Sequence, residues 1–386
     1  MNIGYHYHVP YKKVGDKIYL PSYFGLFIDE LAKNSSNLYL FFFEQNDLES
    51  DLEDYVLTST NIKLISLGSC PTFYHRLLYP FKFLKICKQY AVHLDHFIIR
   101  APTPLSAYIY WAIKNQTKVT LMIVGDYIKC LPGLVQPLYR KIPIVILMYF
   151  YQYMHLKTVR STNVLVNSPE LLAFLKPLND RITLIKTTTI LASSFFARED
   201  TFTGVSIKLL YTGRINFAKG LKELVHAVAI LNYKLKKRIE LHIVGWEDPG
   251  QKFVASLKYQ AQELQIGDRL YFHGKKNVGE ELNSFYRMAD IYVIPSYHEG
   301  FPRTIWEALS QSTPVIATHV GGIPYFLENM KNALLIEPKS VEAIVNAVEM
   351  LHNNPDLRKA LIKNGFNRSK EVTLENQTKT LLDALN

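Results

Sequence analysis

Two rounds of strand and helix patterning run through this chain, and they leave few folds open to it. Leu38 to Phe43, Ile62 to Leu67, His96 to Ile99, Val119 to Val124 and Val164 to Val166 are short β-branched or aromatic runs that read as strands. Between them Tyr23 to Lys33, Pro104 to Asn115 and Leu134 to Lys157 carry helical periodicity. Near-continuous apolar strands alternating with helices predict a parallel sheet covered on both faces. The pattern restarts with strand Ile207 to Tyr211 and helix Lys219 to Asn232, then strand Ile239 to Val244, helix Gln251 to Leu264 and strand Arg269 to Phe272. It continues through strand Ile291 to Ile294, helix Arg303 to Ser310, strand Pro314 to Ala317 and helices from Val341 and Pro355.

The expectation is therefore an α/β chain of two Rossmann-like parallel-sheet domains facing across an interdomain cleft. Residues 1–192 form the first, the polar aperiodic stretch 193–205 is a linker, 206–370 form the second, and a C-terminal helix in 371–386 crosses back to the first. Ligands of open α/β sheets sit beyond the carboxyl ends of strands, where helix N-termini gather.

Several function classes lose their support. Only Cys70, Cys87 and Cys130 occur, without paired spacing, so neither a disulfide framework nor a zinc site is suggested. Asp-x-Asp is absent and no His and carboxylate cluster has ligand spacing, so no metal and no cofactor is expected. Neither the dinucleotide fingerprint nor the P-loop occurs, which removes nicotinamide redox chemistry and ATP hydrolysis. The start Met1-Asn-Ile-Gly-Tyr-His6 lacks a signal peptide's basic and apolar regions. The longest apolar run, Ile142 to Tyr151, is shorter than the roughly 20 residues of a spanning helix. A cytoplasmic protein, or one peripheral at the inner face of the cell membrane, is expected. Net charge is +10, and residues 61–190 hold 16 basic against four acidic residues, a local excess of +12. Tyr74 to Tyr90 mixes Arg76, Lys82, Lys85 and Lys88 with apolar residues, as a helix on an anionic membrane surface does, although a core helix with a solvated basic edge has the same pattern. The early histidines, including His6 and His96, are read as surface or satisfied core groups.

Chemistry concentrates after two strands of the second half. The stretch Pro295-Ser-Tyr-His-Glu-Gly-Phe-Pro-Arg-Thr-Ile-Trp-Glu307 runs from a strand through a loop into a helix. Pro302 suits the first helical turn and leaves the amides of Arg303 and Thr304 pointing at an anion. Glu299 on the loop and Glu307 one turn into the helix can address one cleft without touching. A plainer account pairs Glu307 with Arg303 at i,i+4 and has Glu299 favour the helix terminus. In Leu210-Tyr-Thr-Gly-Arg-Ile-Asn-Phe-Ala-Lys-Gly220, Arg214 and Lys219 lie between a strand end and a helix start, where two cations neutralise a diphosphate.

Together these stretches resemble the E-x7-E and Gly-Arg…Lys-Gly motifs of the retaining nucleotide-sugar glycosyltransferases of family 4 (GT4), of bacterial surface-polysaccharide type, which have the two-domain GT-B fold. Ile243-Val-Gly245, Tyr271-Phe-His-Gly274, Met288 to Ser296 and Val320-Gly-Gly-Ile-Pro324 extend the resemblance over residues 207 to 368. It is thinner earlier, at Arg100 to Pro104, Val124-Gly-Asp126 and Val164 to Ser168. Departures are Thr313 in place of the usual glycine, Lys186-Thr-Thr-Thr-Ile190 in place of a Pro-Asn-Gly turn, and a lone Gly15 in place of a glycine pair.

The resemblance implies transfer of a sugar, with retention and without metal, from a UDP- or GDP-sugar to a saccharide or lipid-linked acceptor in cell-surface polysaccharide synthesis. It assigns the diphosphate to Arg214 and Lys219, beside Gly213, and the sugar hydroxyls to Glu299. The amides of Gly300, Phe301, Pro302's neighbours Arg303 and Thr304 hold sugar and phosphate, Glu307 takes the ribose, and backbone from Gly274 to Asn277 takes the base. Arg100, Asp126 and Gly15 fall on the acceptor side, with Asp126 as the group that holds the attacking hydroxyl. A helix-cap carboxylate and a solvated guanidinium explain Asp126 and Arg100 equally. Implied partners are thus a nucleoside diphosphate sugar, the acceptor and an anionic membrane surface, and no nucleic acid. The rival functions are a GT-B sugar-nucleotide epimerase and a non-catalytic sugar-nucleotide or membrane-binding module.

Overall fold

The computed structural model describes residues 1–45, 55–69, 80–103, 105–125, 128 and 137–385. It falls into two compact units, residues 1–186 with 377–386, and residues 187–376. In chain order unit 1 contains β1 (Asn2–His6), β2 (Lys12–Val14), β3 (Lys17–Leu20), α1 (Ser22–Lys33), β4 (Asn37–Glu44), β5 (Tyr55–Val56), β6 (Ile62–Ser69), α2 (Pro80–Ala91) and β7 (His96–Ala101). It continues with α3 (Ser106–Ile113), β8 (Lys118–Ile123), α4 (Leu138–Val159), β9 (Asn163–Val166), α5 (Pro169–Leu175) and β10 (Ile182–Leu184).

Seven of these strands form a parallel sheet in the order β10-β9-β8-β7-β1-β4-β6, while β2, β3 and β5 pair antiparallel beside it. The period of two along each strand explains why both faces are apolar. Phe41, Phe43, Phe97, Ile99, Leu121 and Ile123 pack on one face with Cys87, Ile109 and Val159 from α2, α3 and α4. On the other face Tyr5 and Phe42 meet Phe24 of α1. The short strand β1 escaped the sequence reading because Asn2, Gly4 and His6 interrupt its apolar run. Buried His6 is accommodated by a contact of 2.8 Å from Nδ1 to the Phe41 carbonyl oxygen, and His96 by one of 2.8 Å to Thr120 Oγ1. Both are buried core histidines, each with one ring nitrogen at hydrogen-bond distance from a partner. The part of Tyr74 to Tyr90 that is described, α2, buries Phe83 and Cys87 and exposes Lys82, Lys85 and Lys88, the pattern of a core helix with a solvated basic edge.

Unit 2 contains β11 (Ser206–Thr212), α6 (Leu221–Lys234), β12 (Arg238–Val244), α7 (Phe253–Glu263), β13 (Leu270–Phe272), α8 (Glu280–Met288), β14 (Ile291–Ile294) and α9 (Arg303–Ser310). Then follow β15 (Val315–Thr318), α10 (Ile323–Phe326), β16 (Leu334–Ile336), α11 (Val341–Asn353), α12 (Pro355–Ser369) and α13 (Leu374–Asp383), whose last residues count with unit 1. Its sheet is wholly parallel, in the order β13-β12-β11-β14-β15-β16. Ile207, Leu209 and Tyr211 of β11 face α6, α7 and α11, whereas Leu210 faces the opposite layer with Ile305 and Trp306 of α9.

The stretch 193–205 lies within unit 2. Its Arg198 guanidinium donates to the carbonyls of Tyr286, Arg287, Ala289 and Ser312 at 2.6–3.3 Å and to Thr313 Oγ1 at 2.9 Å. Thr313, which departs from the GT4 pattern, is thereby an acceptor that a glycine cannot supply. Asp200 takes both arms of Arg358, at 2.5 and 2.7 Å. Aperiodic polar sequence here marks a strap held by side-chain hydrogen bonds.

Candidate functional site

The strand orders locate the crevices. In unit 2 the chain winds from β11 to β12 and β13 on one side, then crosses to β14 on the other, so the topological switch lies between the carboxyl ends of β11 and β14. The segments leaving those two ends are Gly213–Gly220 and Pro295–Thr304, the stretches singled out by sequence.

They are stitched together at close range. Gly220 has φ +66°, and a Cβ there would lie 2.0 Å from the Pro295 carbonyl oxygen, so only glycine permits this approach. The Tyr297 amide donates to the Ala218 carbonyl at 2.8 Å, and the Tyr297 hydroxyl to Glu223 Oε1 at 2.7 Å. A single 3-10 turn, Phe217–Lys219, then delivers Lys219, whose ammonium lies 2.6 Å from Glu299 Oε1. The lysine side chain is 22% exposed and the glutamate 10%, an ion pair at a rim rather than in open solvent. Behind it Gly321, at φ +54°, leaves no space for a Cβ against the Glu299 carbonyl, and the Gly322 amide donates to the Gly300 carbonyl at 2.6 Å. The glycine pair thus clamps the backbone that carries Glu299.

Arg214 leaves β11 at the same end. Its side chain is half exposed, 3.7 Å from Asp248 Oδ2, while its carbonyl accepts from the Tyr211 hydroxyl at 2.8 Å. Gly213 donates its amide to the Val244 carbonyl, and Gly245 donates to the Gly274 carbonyl, both at 2.9 Å, which aligns the ends of three neighbouring strands. Asn277 donates its amide to Glu281 Oε2 at 3.0 Å at the start of α8.

Glu307 is buried and does not pair with Arg303 as the i,i+4 spacing suggested. Its carboxylate accepts from the Tyr286 hydroxyl at 2.8 Å and closely from Thr189 Oγ1. Tyr286 in turn lies 2.7 Å from Thr212 Oγ1, which is 3.3 Å from the Tyr292 hydroxyl, itself 2.7 Å from Thr304 Oγ1. Burial, reinforced by the Glu307 charge, raises the Tyr286 phenol well above its ordinary range, so it stays a protonated donor. This polar chain ties the helix that carries Glu307 to the strand that presents Gly213 and Arg214. Sequence reasoning missed Tyr286, Tyr292, Thr212 and Thr189. Thr189 stood in the threonine run that departs from the GT4 pattern, and Thr212 and Tyr292 stood inside the motif stretches, so only Tyr286 carried no signal at all.

Pro302 stands one position earlier than expected, at the N-cap with extended backbone, and α9 begins at Arg303. The Phe301 ring is an anchor: it packs 4.8 Å from both Trp306 and Phe326.

In unit 1 the corresponding switch lies between β1 and β7. Arg100, near the end of β7, stacks its guanidinium 4.5 Å from the Tyr7 ring centre and 5.7 Å from that of Phe24, and its buried Nε has no hydrogen-bond partner. Gly15 lies in the exposed turn joining β2 and β3, with φ +59°. Asp126 lies outside the described residues, as do Pro104, Cys70 and Cys130. Among the described residues no group of three His, Cys, Asp or Glu is placed to hold a metal ion, and no helix is long and apolar enough to cross a membrane.

Residues 196–368, within unit 2, match the family described as Glycosyl transferases group 1. The D-inositol 3-phosphate glycosyltransferase of Saccharomonospora viridis is 29% identical over 182 residues, which covers 46% of this chain and 42% of that protein. The chain therefore spans less than half the length of that relative. Among solved structures, sucrose-phosphate synthase from Thermosynechococcus elongatus aligns with TM-score 0.72 and 21% identity over 99% of this chain and 97% of its own. Anabaena HepE in complex with UDP-glucose aligns with TM-score 0.71 and 16% identity over 99% of both chains. The fold is that of GT-B glycosyltransferases, two parallel-sheet α/β domains.

Proposed function

We propose that this chain, whose residues 196–368 match the group 1 glycosyltransferases, is a retaining, metal-independent glycosyltransferase. It transfers a hexose-type unit from a UDP- or GDP-sugar to a hydroxyl of a saccharide or lipid-linked acceptor in cell-surface polysaccharide synthesis. One observation carries the reading: the Lys219–Glu299 pair, 2.6 Å apart, is held at the switch point of unit 2 by a glycine contact that tolerates no side chain. HepE, a protein of the same fold, has been captured with UDP-glucose, which favours a uridine donor.

In this mechanism Lys219 uses one ammonium hydrogen for Glu299 and has two others to offer the diphosphate. Arg214 adds a second cation from the same strand end. Glu299 accepts from sugar hydroxyls, and the amides at the start of α9 hold the sugar and phosphate. Glu307 retains acceptor capacity beyond Tyr286 and Thr189 for the ribose, and the Gly274–Asn277 backbone borders the base. Unit 1 takes the acceptor, with Arg100 as an anion contact and Asp126 holding the attacking hydroxyl. The acceptor oxygen bonds to the anomeric carbon on the face that the phosphate leaves, the glycosidic C–O bond to phosphate breaks, and the departing phosphate oxygen takes the hydroxyl proton. Positioning and charge stabilisation supply the rate.

The test is calorimetry against UDP-, GDP- and ADP-sugars, followed by anomer analysis of the product with chelator present. A transferred sugar of unchanged anomeric configuration supports the proposal. Donor binding by none of the panel, inverted product, or donor consumed without an acceptor overturns it.

A further inference from the structure

Glu223 is the least expected side chain near the switch point of unit 2. It stands in the first turn of α6, beyond Lys219, and its Oε2 is buried with no hydrogen-bond partner among the described residues. A buried acceptor left in this state costs stability, and an apolar residue would fill the place at less cost. The helix terminus favours a carboxylate here, but it does so equally for one that points into water. The other oxygen, Oε1, accepts from the Tyr297 hydroxyl at 2.7 Å. A carboxylate and a phenol give a directional contact that apolar packing cannot supply.

Tyr297 lies two residues before Glu299 and is buried. Its ring packs edge-on against Phe217 at 5.4 Å, and the Lys339 ammonium lies 5.1 Å from the ring centre. Burial, reinforced by the Glu223 carboxylate, pushes the phenol up to about 12, so it stays a protonated donor. The two segments at the switch point are thus joined at three levels. The first is the backbone approach at Gly220 and Ala218, the second the Lys219–Glu299 ion pair, and the third the phenol on Glu223. Leu221, Leu224 and Val225 sink α6 in the core of unit 2, so the third level ties the Glu299 loop to a fixed helix.

We infer that Tyr297 and Glu223 are positioning residues for sugar transfer: their hydrogen bond holds the Glu299 loop against the first turn of α6 and so keeps Glu299 in register with Lys219. The inference rests on the donor reading of that pair, in which Lys219 serves the diphosphate and Glu299 the sugar, the two sides of the bond that breaks. A displacement of about 1 Å between groups that hold the reacting parts costs up to about 100-fold in rate. Binding of the nucleoside diphosphate alone, which has no sugar for Glu299 to hold, is insensitive to that register.

The experiment compares the purified full chain with Y297F, E223A, E223Q and Y297F/E223A. UDP-, GDP- and ADP-sugars are offered, and turnover is read as nucleoside diphosphate released, which needs no identified acceptor. The Kd of that diphosphate alone comes from calorimetry, and stability from the melting temperature. Y297F and E223A should each lower kcat roughly tenfold or more while the diphosphate Kd stays within about twofold. E223Q keeps an oxygen for the phenol and should recover kcat to within about threefold of the parent. The double variant leaves neither group orphaned, so its melting temperature returns toward the parental value while kcat stays low, a combination that a merely structural contact does not give. Parental kcat in Y297F, equal losses in E223Q and E223A, a diphosphate affinity that falls in step with kcat, or kcat restored in the double variant overturns the inference and leaves the donor reading standing. A parent that releases no diphosphate from any of the sugars overturns both.

Discussion

Substituting Lys219 separates a structural ion pair from a donor-binding one. In Lys219→Ala the Glu299 carboxylate, only 10% exposed, loses its partner at 2.6 Å. An exposed pair is worth at most about 1 kcal/mol and breaking a fully buried one costs about 3–5, so this rim pair should cost about 1–3 kcal/mol of stability. If the ammonium also serves a diphosphate, removal of that charge-assisted hydrogen bond weakens UDP-sugar binding by a similar energy, roughly 5- to 150-fold in Kd. The double variant K219A/E299A distinguishes the two contributions. It leaves no orphan carboxylate, so melting temperature recovers most of the loss, while donor affinity stays low. Thermal melts with calorimetric titration on the four proteins complete the cycle. Parental affinity and turnover in Lys219→Ala would refute the reasoning, and restored affinity in the double variant would reduce the pair to a structural role.

Two other outcomes follow from the geometry. Gly220→Ala places a Cβ 2.0 Å from the Pro295 carbonyl at φ +66°, and should lower stability by more than the roughly 1 kcal/mol of a strained φ alone, read as a fall in melting temperature. His96 and His242 are held down to about 4, chiefly by burial and then by Lys118 and His273 respectively. With folded values below the unfolded 6.5, the unfolded chain takes up these protons first. Their contribution is complete above pH 6.5 and declines as pH falls toward 4, with a slope of up to about 1.4 kcal/mol per pH unit for each histidine. Melting curves across this range, compared with those of His242→Gln, should show the variant with the shallower decline.

The elements of this chain were legible because periodicity is a local property. Ile291–Ile294 and Arg303–Ser310 were located to the residue, since an apolar strand followed by Pro302 and an amphipathic helix needs no distant partner to be recognised. β1 was invisible for the converse reason: its Gly4 and His6 belong to a central strand because Leu94 and Phe97 fill the space of a side chain at one and the Phe41 carbonyl meets Nδ1 of the other. The same division runs through the site. Its motif residues were conspicuous on their own segments, yet Lys219 meets Glu299 across 80 positions and Thr189 meets Glu307 across 118.

Sequence by itself determined the two α/β halves, the glycines that the turns require and the residue types suited to a phosphorylated sugar. The tertiary structure alone decided that Glu307 binds Tyr286 and Thr189 instead of Arg303, that 193–205 is docked, and that Tyr297 reaches Glu223. Local patterning states which side of an element prefers burial. Which partner arrives there depends on the order of strands in a sheet, and that order is an outcome of packing the whole unit at once.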